Sequence, residues 1–225
     1  MSGYRISLNQ MAEMRNATEK GRKRIIKQQL SPDIFRLPWY HIPKARIKKS
    51  IELKGDLSPV YDGIQKLRDS QPIKEWQKYN KRVSLEALER YIKMKLPSIL
   101  NDIDYSIVKP KTKRTILSNV EIIVAPEVIV KGELNGKTVL GAVKIHISKN
   151  KPFDLQQARL VATTIVTYLE NEVAKDKSEV IPELCFCLDI FNGRMISANK
   201  NDEKVYEEMN EICELIKELW NEAAA

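Results

Sequence analysis

Apolar and polar positions alternate most regularly between residues 119 and 149, NVEIIVAPEVIVKGELNGKTVLGAVKIHISK. Two runs rich in β-branched residues flank Asn135-Gly136, a dipeptide that favours the two-residue turn of a β-hairpin. A turn at that pair sets Leu134 opposite Lys137, Ile129 opposite Ala142, and Glu127 opposite Lys144. Opposed residues on antiparallel strands hold their Cβ atoms roughly 4.5–5.5 Å apart, so the register alone brings a carboxylate beside an ammonium group. Strand side chains alternate between faces. Val128, Val130, Val143, Ile145 and Ile147 therefore read as a core face, and Glu127, Lys144 and His146 share the other, polar face.

Helical periodicity dominates elsewhere. Residues 8 to 30 read as one basic helix, stopped at Ser31-Pro32-Asp33 and followed by an aromatic connector of Phe35, Leu37, Pro38, Trp39 and Tyr40. Lys44 to Lys54 form a second basic helix ending at Gly55, and residues 58 to 70 a third. Ser84 is predicted to cap an amphipathic helix with Leu85, Leu88, Tyr91, Ile92 and Leu96 on its inner face. Short strands are expected at 105–108, 114–117 and 120–124, ahead of the hairpin. Residues 154 to 172 read as a mostly apolar helix, whose small residues suit packing on the Val128–Ile145 face. A second hairpin turns at Asn192-Gly193, and a striped helix runs from Asp202 to Asn221. This order predicts an α/β fold with a mixed central β-sheet flanked by helices, preceded by a basic helical extension over residues 1–82.

Charge changes the picture more than composition does. The 225 residues are 43% hydrophobic and 30% charged, with a net charge of +8. Residues 1 to 54 carry 13 Lys or Arg against 4 Asp or Glu, whereas residues 201 to 225 carry 2 against 8. A basic arm of this kind suggests contact with a polyanion. Arg15, Arg22, Lys23, Arg24, Lys27, Lys48 and Lys49 are the candidate nucleic-acid contacts, and Trp39, Tyr40 and Trp76 are candidates to stack on bases or to pack internally. Three cysteines without zinc spacing read as free thiols, and the sequence from Met1 to Asn16 lacks the apolar run of a secretion signal. The most apolar stretch, Leu160 to Leu169, contains threonines and falls short of a membrane span. A cytoplasmic protein without membrane contact is expected.

The hairpin chemistry resembles the PD-(D/E)xK nuclease superfamily over residues 83 to 198. Pro126-Glu127 stands where that family has its Pro-acid element, and Ala142-Val143-Lys144 where it has acid-x-Lys, with Ala142 in place of the acid. The resemblance implies a restriction-endonuclease-like core over residues 83–225 and a Mg²⁺-dependent phosphodiesterase site. In it Glu127 is a metal ligand, Lys144 positions the attacking water, and Gln157 reaches in from the following helix. Glu89, or Glu86, would supply the carboxylate that Ala142 does not. The function implied is nucleic-acid binding, by a divergent nuclease or by a binder that has lost catalysis. The alternative is a protein-interaction module on the same scaffold, with a protein partner or a second copy as its ligand. A simpler reading of Glu127 and Lys144 is an exposed cross-strand ion pair, worth about 0–1 kcal/mol.

Overall fold

The computed structural model describes residues 3–31, 39–100, 102–174, 178–200 and 202–224. Pro32, Asp33 and the connector residues Phe35, Leu37 and Pro38 lie outside the described residues. The fold is mixed α/β, with two mixed sheets rather than one.

The larger sheet holds five strands in the order β2-β5-β6-β7-β8: β2 Tyr105–Ile107, β5 Val128–Leu134, β6 Lys137–His146, β7 Glu179–Asp189 and β8 Arg194–Ser197. β5 and β6 form the expected hairpin in the expected register, with Leu134 on Lys137, Ile129 on Ala142 and Val128 on Val143. Asn135 and Gly136 both adopt positive φ, 53° and 74°, as a primed turn requires. β6 then pairs in parallel with β7 through a helical crossover, and β7 turns back into β8 at Gly193. The smaller sheet has the order β1-β4-β3, from β1 Arg5–Ser7, β3 Arg114–Leu117 and β4 Val120–Ile123. The short strand β1 carries no pattern in the sequence. It exists because the chain start lies parallel to β4.

The helices correct the sequence reading at three points. The predicted helix over 8–30 is two, α1 Leu8–Asn16 and α2 Glu19–Leu30. Ala17 is extended, and Thr18 caps α2 by accepting the Gly21 N–H at 3.2 Å. The second correction concerns Ser84, which caps nothing. It is buried inside α5 Glu75–Ile92, because Val83 and Ala87 extend the inward stripe on both sides of it.

The third correction concerns which side of the hairpin is core: both sides are. From Val139 to His146 every residue of β6 is buried, as expected of a central strand with parallel pairing. α6, Leu155–Tyr168, does not pack on the Val128–Ile145 face. It joins Ile129, Leu140, Ala142, Cys185 and Cys187 in one cluster, together with α1 and α7 (Glu203–Ala224). The valine face belongs to a second cluster, closed by α3 His41–Glu52, α4 Ser58–Asp69 and α5. Both faces of the sheet are covered, so Glu127, Lys144 and His146 are largely buried instead of facing solvent.

Candidate functional site

β6 brings Lys144 into the interior with only 8% of its side chain exposed. A buried ammonium group needs a full set of acceptors. The loop between β4 and β5 supplies them. Lys144 Nζ donates to the carbonyls of Val124 and Ala125, both at 2.8 Å. Ala125 takes a left-handed conformation, φ 41°, immediately before Pro126, a conformation uncommon for a residue with a Cβ. The N–H groups of Val124 and Ala125 both reach the Lys113 carbonyl, at 2.9 and 3.0 Å, which ties this bend to the second sheet.

Glu127 closes the arrangement. Its backbone N–H continues the ladder to Val143 O at 2.9 Å. Its carboxylate, 9% exposed, has three neighbours: the Ile145 N–H at 2.7 Å from Oε2, the Lys144 ammonium at 3.7 Å from Oε1, and the Lys44 ammonium at 2.6 Å from Oε1. Lys44 stands on α3, in the helical layer that covers the valine face. One carboxylate therefore lies between two ammonium groups. Burial pushes the Lys144 pKa below its ordinary value, and the negative charge of Glu127 only partly offsets this. The pair is buried, so the reading as an exposed cross-strand ion pair is corrected.

Next along β6, His146 stacks on Phe153 with ring centroids 3.6 Å apart, and its Nε2 lies 2.8 Å from the Lys151 carbonyl. Its partner in the parallel register is Asp189, fully buried, which accepts the backbone N–H groups of Phe153 and Asn192. Burial lowers the His146 pKa. On acidification the unfolded chain therefore takes the imidazole proton first, and His146 removes stability as pH falls below about 6.5. His146→Gln is expected to flatten the fall in urea midpoint between pH 7 and 5. An unchanged acid slope would contradict this.

The other expected participants are elsewhere. Gln157 forms the capping box of α6, accepting the Asp154 N–H at 3.0 Å, and its amide donates to Ala12 O at 3.0 Å. Its bonds lead to α1 and not to Glu127. Glu89 is half exposed beside Arg68, 3.9 Å away. Glu86 is held by Arg90 and by Lys149 at 2.5 Å, and the Lys149 hydrogen bond keeps its carboxyl below the usual range. Among the described residues no three His, Cys, Asp or Glu side chains lie close enough to hold a metal. Ala142 contributes a methyl group and Glu127 is occupied by Lys44. The residues present do not fit the magnesium site that the sequence resemblance implies. The three cysteines are buried, and burial pushes the Cys185 thiol up to about 12 and the Cys213 thiol up to about 11.

The basic arm is largely engaged within the molecule. Arg15 pairs with Glu208 of α7 at 2.5 Å, and Lys23 pairs with Glu19 and with Glu222 of α7. Arg22 donates to the carbonyls of Met14 and Arg15 and so closes the C-terminus of α1. Lys48 and Lys49 both face Glu52. Arg24 and Lys27 remain, and Lys20 joins them on α2 with no ion pair among the described residues. Sequence reasoning missed the pairing of Lys44 with Glu127, since no local pattern links positions 83 residues apart. Among the described residues no helix is long and apolar enough to cross a membrane. No family model matches the chain, and no curated protein matches it.

Proposed function

We propose that the chain is a nucleic-acid-binding protein on a nuclease-like scaffold, in which an ammonium group has taken the cation's place at the acid of the hairpin. The observation that carries this reading is the 2.6 Å contact of Lys44 Nζ with Glu127 Oε1. A magnesium ion asks for near-octahedral oxygen ligation. To bind here it would have to displace Lys44, and it would find a single carboxylate, with Ala142 beside it. The expected activity is binding without Mg²⁺-dependent cleavage. Lys44→Ala combined with Ala142→Glu frees one carboxylate and adds a second, and should create Mn²⁺ binding that calorimetry detects. Ala142 lies in the apolar core, so circular dichroism first establishes that the double variant is folded, and Lys44→Ala alone, which leaves that core intact, is titrated beside it. A folded double variant showing no more heat than the parent, or Lys44→Ala alone doing so where the double variant does not fold, would count against the substitution of ammonium for metal.

Binding itself falls to the exposed face of α2. Lys20, Arg24 and Lys27 are three to four residues apart and share one side of the helix. Removing one cation that touches a phosphate should lower the salt slope of binding by about one unit, so replacing these three by Glu should remove about three units. Replacing Arg22 instead should destabilise α1, because its guanidinium holds that helix's last carbonyls. A second reading, the protein-interaction module, is favoured by the pairing of Arg15 and Lys23 with Glu208 and Glu222, which neutralises part of the arm. An unchanged salt slope in the α2 triple variant would favour that reading.

A further inference from the structure

The first half of α5 and the start of α3 hold an aromatic cluster that the hairpin site does not use. The Trp39 ring centroid lies 5.9 Å from Tyr79, 6.4 Å from Trp76 and 6.5 Å from Tyr40. Tyr40 continues to Phe191 at 6.1 Å. These rings are not sealed into a core: Trp39 is 39% exposed, and Ile73 beside Trp76 is 87% exposed. An open hollow of about 390 Å³ lies against Trp76, the one ring of the cluster that lines it, together with Leu67, Pro72, Ile73, Asn80 and Lys81; Trp39 reaches it through its contact with Trp76.

Lys81 is the cation that lines the hollow, and it is fixed in place. Lys81 Nζ donates to the carbonyls of Arg68 and Ser70 at 2.9 and 2.8 Å, so its charge is held at the end of α4. The Arg82 guanidinium lies 5.1 Å from the centre of the Tyr79 ring. Lys66, Arg68, Lys74, Lys78, Lys81 and Arg82 fall in this stretch, against Asp69 and Glu75. Aromatic faces set among fixed cations match the chemistry of unpaired bases on a phosphate backbone. A protein partner would suit the exposed Ile73 and Trp39 equally, but the excess of positive charge favours a polyanion.

We propose that Trp39, Trp76 and the adjoining hollow form a stacking site for the bases of single-stranded nucleic acid. The inference rests on the nucleic-acid reading above and deepens it by naming the strand state. In a duplex the base faces are already stacked on one another, so this surface should select single strands. The site also adjoins the hairpin: Tyr40 and Lys44 are one turn of α3 apart, about 6 Å along its axis.

The test uses the full chain with fluorescein-labelled oligothymidylate of about 20 nucleotides, an abasic backbone of equal length and charge, and a duplex of the same length. Oligothymidylate is expected to quench tryptophan emission and to bind at least about tenfold more tightly than the abasic backbone. Trp39→Ala should remove most of that difference and leave duplex binding unchanged. The comparison of oligothymidylate with the abasic backbone needs no variant, so it stands even where Trp39→Ala fails to fold. Equal affinity for the two would overturn the stacking site, while the nucleic-acid reading would survive if the Lys20, Arg24 and Lys27 variant still weakens both. No binding to any of the three by the parent chain would overturn both proposals. A dimer in sedimentation that Ile73→Glu dissociates would show that a second copy covers this surface, and would overturn the stacking site.

Discussion

Glu127→Ala is expected to destabilise the protein by about 3–5 kcal/mol, the usual cost of leaving one partner of a buried ion pair uncompensated. Lys144 would keep its two carbonyl acceptors but lose the carboxylate 3.7 Å away, and the Ile145 N–H would lose its acceptor. The loss should depend on pH in a defined direction. Burial already lowers the pKa of Lys144 in the folded state, and removing Glu127 lowers it further. Between that lowered value and the ordinary lysine range, the unfolded chain binds more protons than the folded one, so stability rises with pH. Urea midpoints of Glu127→Ala should therefore recover from pH 7 toward about pH 10, more steeply than those of the parent. Lys144→Met in the same background should restore part of the loss by removing the buried charge. A cost within about 1 kcal/mol of the parent, as for a surface pair, would contradict the buried arrangement.

Gly141→Ala should be nearly as costly, for a steric reason. β6 advances from Leu140 to Ala142 while β7 advances from Val180 to Cys185, so a bulge on β7 folds over Gly141. A Cβ built there would lie 2.3 Å from Leu184 Cβ and 2.5 Å from Leu184 O. The strand centre cannot move without disturbing both core clusters. The expected loss is about 3 kcal/mol, at the upper end for overpacking in a core. Leu184→Ala should not rescue it, because alanine keeps both clashing atoms. Thermal unfolding of the single and double variants checks this, and full rescue by Leu184→Ala would show that the sheet yields at this point.

Periodicity and turn chemistry made the hairpin legible to the residue, since Asn135-Gly136 fixes the register and the register fixes Glu127 against Lys144. They did not reveal which layer covers which face. Lys144 and His146 are polar and therefore read as solvent-facing, yet each finds backbone acceptors outside its strand: Val124 and Ala125 from the β4–β5 loop for one, Lys151 five residues further on for the other. Burial here depends on two helical layers whose placement no local pattern encodes. The same limit applies to the charges. The basic arm and the acidic last helix were both visible, but Arg15 with Glu208 and Lys23 with Glu222 are partnerships of tertiary structure. Gln157 shows a local rule overriding a family expectation. The sequence Asp154-Leu155-Gln156-Gln157 spells a capping box, and the structure uses it as one.

Binding without cleavage is decided by a single gel-shift series. Labelled single-stranded and duplex oligonucleotides are incubated with the parent chain, in EDTA and in Mg²⁺, and then analysed again after denaturation. If Lys44 stands in for the metal, the shifts are of equal strength with and without Mg²⁺, are weakened by salt, and leave intact strands after denaturation. Strands cut in Mg²⁺ and left whole in EDTA, with cutting abolished by both Glu127→Gln and Lys144→Ala, would show that Lys44 does not exclude a metal and that the hairpin site is catalytic.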